Sequence, residues 1–182
     1  MSASYPGSVK SFTTKNNGDT IQNTHVNDLQ DEVNAVETDL ASAGLSLSAI
    51  TPLNFAPTLA FGGASVGVTY SANAGRYLKI GKLVKLYGRI ILTSKGTSTG
   101  AATISLPFTC ENAIAPIAGG IVFTNYSNMG SSLVAFYGTP TNNAATATLQ
   151  FTSAASSNMG GMKDSEFTNT SDFSFSGFFF SA

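Results

Sequence analysis

The chain has 182 residues, a formal net charge of -1 and charged side chains at only 10 % of its positions, against roughly 25 % in an ordinary soluble domain. Such a chain offers no field for nucleic acid or an acidic membrane, and Ser, Thr, Asn, Gly and Ala supply its polar and small surface. No run approaches the ~18 apolar residues of a spanning helix, the start MSASYPGSVK lacks the apolar centre of a secretory signal, and the single cysteine, Cys110, excludes an intrachain disulfide or a Cys-based zinc cluster.

Residues 1–23 are polar and turn-rich, with Asn16-Asn17-Gly18-Asp19 as the strongest turn signal. Tyr5, Pro6, Val9 and Phe12 are the larger apolar and rigid residues in this segment, too few to form a core. The segment therefore reads as an attachment arm that takes its order from a neighbour.

From residue 24 the period becomes helical. Thr24 is a candidate cap, and Val26, Leu29, Val33, Val36 and Leu40 follow at spacings that alternate between three and four. This is an a/d seam. Val36 at a d position departs from the Val-at-a, Leu-at-d pattern that suits parallel dimers, so a three-stranded coiled coil is expected over 24–43. The flanking acids, Glu32, Glu37 and Asp39, have no Lys or Arg among them to pair with, and so short a stem needs support from outside it. A helix packed on its own β domain is the alternative.

Residues 44–54 read as a Ser/Ala-rich linker, and beyond it every patterned segment has period two. Strands are expected at 68–70, 77–80, 82–92, 102–108, 120–126, 133–137, 145–151 and 173–180, which suggests an antiparallel β-sandwich or jelly-roll head over 55–182. In the 82–92 strand, Val84, Leu86, Ile90 and Leu92 share one face and Lys85, Tyr87 and Arg89 the other. At the end of the last strand Phe178, Phe179 and Phe180 stand in a row, so both of its faces need cover, from within the subunit or from a neighbouring one.

Charges segregate. Asp28, Asp31, Glu32, Glu37 and Asp39 lie on the stem, whereas Arg76, Lys79, Lys82, Lys85, Arg89 and Lys95 form a basic ribbon. Lys82, Lys85 and Arg89 are accordingly candidates for electrostatic contact with an acidic neighbour.

Catalytic patterns are missing. His25 is the only histidine, the head's acids Glu111, Asp164, Glu166 and Asp172 fall in loops or at strand edges, and the paired glycines have no phosphate-binding context. A non-enzymatic protein without cofactor or metal is expected. Cys110 reads as an inert small hydrophobe, and Asn125, Tyr126 and Asn128 are the best loop candidates for stacking on a sugar.

The opening Ser4-Tyr5-Pro6-Gly7-Ser8-Val9-Lys10-Ser11-Phe12, with His25-Val26-Asn27-Asp28-Leu29-Gln30-Asp31-Glu32-Val33-Asn34-Ala35, resembles the N-terminal segment of many bacteriophage virion proteins. Gly75-Arg76-Tyr77-Leu78-Lys79-Ile80-Gly81 and Ile104-Ser105-Leu106-Pro107-Phe108 resemble the β domains of phage fibre and decoration proteins. The resemblance implies a homotrimer in the virion, attached through its arm to a major capsid protein or a tail adaptor; the missing secretory signal leads to the expectation of assembly in the host cytoplasm. Capsid decoration, as a cement protein or short head fibre, is the expected role because no repeated shaft segment is visible. The alternative is a tail-fibre protein whose head binds a host-surface receptor, glycan or protein.

Overall fold

The computed structural model describes residues 18, 20, 22–42, 51–112, 119–154 and 156–182. The arm residues Tyr5, Pro6, Val9 and Phe12 lie outside this set, as does most of the linker. The chain divides into two compact units, Met1–Ile50 and Thr51–Ala182.

In the first unit, helix α1 spans Asn23–Ser42, roughly 30 Å at 1.5 Å per residue. Thr24 is already inside it. The helix start is instead closed by His25, whose Nδ1 accepts the Gln22 backbone N–H at 3.0 Å while its own N–H donates to the Gln22 carbonyl. That reciprocal pair satisfies donors that the first turn would otherwise leave free. Val26, Leu29, Val33, Val36 and Leu40 are 37 to 54 % exposed, whereas Asp28 and Glu32, one position away around the helix, are the buried residues.

The second unit is a single antiparallel sheet of ten strands, curled into a half-barrel. The strands are β1 (Leu53–Phe55), β2 (Leu59–Phe61), β3 (Val68–Ile80), β4 (Leu83–Lys95), β5 (Ala102–Ser105), β6 (Gly119–Met129), β7 (Leu133–Pro140), β8 (Thr146–Ser153), β9 (Ser156–Gly161) and β10 (Phe167–Phe180). They run in the order β1-β3-β4-β10-β6-β7-β8-β5-β2, with β9 paired to β8. One curled sheet thus stands where two facing sheets were expected. Bulges in β3 and between β10 and β6 supply local bending, and a sheet that curls can enclose its core with one face alone.

That face is built by strict alternation. Val84, Leu86, Ile90 and Leu92 of β4 and Phe173, Phe175 and Phe179 of β10 are all buried. Phe123 and Phe136 stack with ring centroids 3.9 Å apart, and Phe173 meets Phe136 edge to face at 5.6 Å. Such pairs contribute about 0.5–1.5 kcal/mol beyond the area they bury.

Both ends of the half-barrel are closed by the chain itself. At one end Glu111 N–H donates to the Phe180 carbonyl and Ser181 N–H to that of Lys82. Cys110 is wholly buried in this seam, and burial pushes its thiol up from the ordinary cysteine range. At the other end Asp164, in a 3-10 turn, accepts the Gly100 N–H at 2.9 Å, and the Lys95 ammonium donates to its carbonyl at 2.9 Å.

Candidate functional site

The outward face of β3, β4 and β10 has an order fixed by strand pairing. On β4, Leu83, Lys85, Tyr87 and Arg89 point outward in succession. Their partners on β3 are Ile80, Leu78, Arg76 and Ala74; those on β10 are Phe180, Phe178, Ser176 and Ser174. One half of the face is therefore apolar apart from Lys85, and the other carries two guanidiniums around a tyrosine.

In the apolar half, Phe178 is 49 % and Phe180 39 % exposed, with their rings edge to face at 6.4 Å. Leu83 and, further along the sheet, Val122 are exposed beside them. Alternation explains this: once Phe173, Phe175 and Phe179 point inward, Phe178 and Phe180 must point out. β10 is a central strand, but its own subunit covers one face of it, so the cover expected on both faces is not supplied within the described chain.

In the polar half an open cleft of about 970 Å³ is lined by Asn54, Phe55, Asn73, Ala74, Arg76, Tyr87, Arg89 and Ser174, among others. Arg89 grips Asp172 through two bonds, Nε to Oδ1 at 2.9 Å and the terminal nitrogen to Oδ2 at 2.7 Å. The Arg89 hydrogen bonds hold the Asp172 carboxyl below the usual carboxylate range. Arg76 is oriented by its Nε, which donates to Asn54 Oδ1 at 3.2 Å. Tyr87 sits directly across from Arg76 and, by alternation, on the same face as Arg89.

Several members of the basic ribbon have partners within the head. Lys82 pairs with Glu111 at 3.4 Å, Arg89 with Asp172 at 2.7 Å and Lys95 with Asp164 at 3.8 Å. Lys79 lies 4.5 Å from the centre of the Phe108 ring. The acids that the ribbon lacks in its own stretch of sequence are brought to it by folding. Of the trio Lys82, Lys85 and Arg89, only Lys85 has no acidic partner among the described residues.

The sugar-stacking candidates in β6 make contacts within the head. Tyr126 donates from its hydroxyl to the Val134 carbonyl and packs edge to face on Phe136. Asn125 and Asn128 occupy positive φ, and Asn128 Nδ2 donates to the Thr170 carbonyl. Short polar side chains tolerate that backbone better than bulky ones. Tyr87 is an exposed aromatic that the alternation in its strand places outward; its neighbours Arg76 and Asn54 are brought beside it by the strand register.

Among the described residues no group of three or more His, Cys, Asp or Glu comes together as a metal site, and no helix is long and apolar enough to cross a membrane. No protein-family model matches the sequence, and no curated protein matches it. Among solved structures, the chain is similar to the crystal structure of the Dettilon tailspike protein (gp208), with 17 % identity and a TM-score of 0.58. The match covers 71 % of this chain and 23 % of that one, so the chain spans under a quarter of the tailspike's length. At this identity the likeness is one of fold.

Proposed function

We propose that the chain is a structural component of a bacteriophage particle, a homotrimer joined through the Val26–Leu40 stripe and the Phe178/Phe180 face, whose β head contacts the host surface from the tail. The observation that carries this reading is the shared fold with a phage tailspike. The exposed apolar stripe on α1 and the exposed phenylalanines on β10 support a self-associating chain, because monomers rarely leave contiguous apolar patches in water.

The tail location displaces the preference drawn from the missing shaft repeats. The matched fold makes up 23 % of a longer tailspike, so a shaft need not share a segment with it. Capsid decoration remains the second reading, supported by the lack of repeats within these 182 residues. The reading is non-enzymatic: among the described residues of the head, Glu111, Asp164 and Asp172 each pair with a lysine or arginine, and Glu166 accepts the Lys163 N–H.

Densitometry of purified virions separates the two locations. A few to a few tens of copies per particle is the expected result, and many tens to hundreds would place the protein on the capsid. Adsorption of the purified trimer to host cells tests the receptor-binding role.

A further inference from the structure

We infer that the cleft around Tyr87 is a binding subsite for a carboxylate-bearing sugar of an acidic oligosaccharide; the inference rests on the receptor-binding reading and names its ligand class. The argument begins with how the two arginines are held. Each is anchored through Nε, Arg89 by Asp172 and Arg76 by Asn54. A guanidinium has five donors in a rigid plane. Arg89 spends one further terminal N–H on Asp172, which leaves three donors oriented and available, and Arg76 retains its four terminal ones. Oriented arginine donors match the two oxygens of a carboxylate, and less ordering remains to be done on binding.

Tyr87 stands between them with 47 % of its surface exposed, so an aromatic face is available where a sugar ring could lie. Small side chains keep that face open: Arg89 has Ala74 on one side and Ser174 on the other, and Tyr87 has Ser176 beside it. Asn54 and Asn73 add amides at the rim. The volume of about 970 Å³ falls in the range of small-ligand sites. Charge decides the sign of the ligand: two guanidiniums face the cleft against the single carboxylate of Asp172, whose oxygens are both occupied by Arg89.

The test uses the full-length protein and an immobilised panel of uronic-acid, sialic-acid and neutral polysaccharides, each acidic member also offered after reduction of its carboxyl groups to alcohols. Binding to at least one acidic member is expected, lost on carboxyl reduction and weakened as salt rises. Arg76→Gln should weaken it by about tenfold or more, the worth of one charge-assisted hydrogen bond, and Tyr87→Ala by about tenfold through loss of the aromatic face. Both side chains are exposed, so thermal stability and oligomeric state should not move. Arg89→Gln is made together with Asp172→Asn, so that no carboxylate is stranded.

Equal binding to acidic and reduced sugars, or unchanged binding in Tyr87→Ala and Arg76→Gln, overturns the subsite. Host-cell adsorption distinguishes the two levels of failure. If the wild-type protein adsorbs and these variants adsorb equally well, the subsite is wrong and the receptor-binding reading stands. If the wild type does not adsorb at all, that reading falls with it.

Discussion

Phe178 and Phe180 meet edge to face on the outside of the half-barrel, two residues apart on a strand whose neighbour Phe179 is fully buried between them. Inward and outward positions of one strand end thus carry the same side chain in opposite environments. The double substitution Phe178→Ser, Phe180→Ser should leave the fold of a single copy intact, because exposed positions usually change stability by only about 0.5 kcal/mol. It should weaken association of the heads. Circular dichroism compared with sedimentation on the same sample checks both halves of the statement.

An inward phenylalanine behaves differently. Phe136 stacks on Phe123 and touches Phe173, so Phe136→Ala should cost about 3–5 kcal/mol through lost burial and the cavity left behind. Denaturant unfolding gives the number, and a midpoint equal to that of the Phe178/Phe180 variant would contradict this assignment of faces.

At Gly177 the strands β10 and β6 approach so closely that an added Cβ would lie 2.3 Å from the Gly120 carbonyl oxygen. Backbone cannot rotate out of the way as a side chain can. Gly177→Ala should destabilise the head by about 1–3 kcal/mol, the usual cost of overpacking. Gly120→Ala, where a Cβ meets nothing within 4 Å, is the control and should change little in thermal unfolding.

The Arg89 hydrogen bonds lower the folded-state pKa of Asp172 below its ordinary value. A depressed carboxylate pKa contributes stability that is present above the unfolded-state pKa and is lost as pH falls through the folded one. The melting temperature should therefore fall on acidification below the ordinary carboxylate range. Asp172→Asn should show a smaller fall over the same interval. Parallel melting curves for the two proteins across that range would refute the coupling.

The parts of the fold that depend on local periodicity were legible in the sequence. Alternation in β4 separated Val84 and Leu86 from Lys85 and Tyr87 correctly, and the three-four spacing located α1 to within a residue. Short or interrupted elements were not. Leu53–Phe55 was absorbed into the linker, and 68–70 and 77–80 are one strand, β3, because the Ser-Ala-Asn-Ala-Gly stretch between them resembles a loop but pairs with β4. One curled sheet and two facing sheets have the same period, so pairing order could not be read. The cleft was hidden for the same reason: Arg89 and Asp172 are 83 residues apart, and nothing in either local pattern connects them.

Sedimentation of the purified full-length protein, alone and with Leu29→Asp, Val33→Asp and Val36→Asp together, tests the central claim most directly. A trimer for the wild type, dissociating in the triple variant while the β head stays folded, is the predicted result. A wild-type protein that sediments as a stable monomer at every concentration would contradict it.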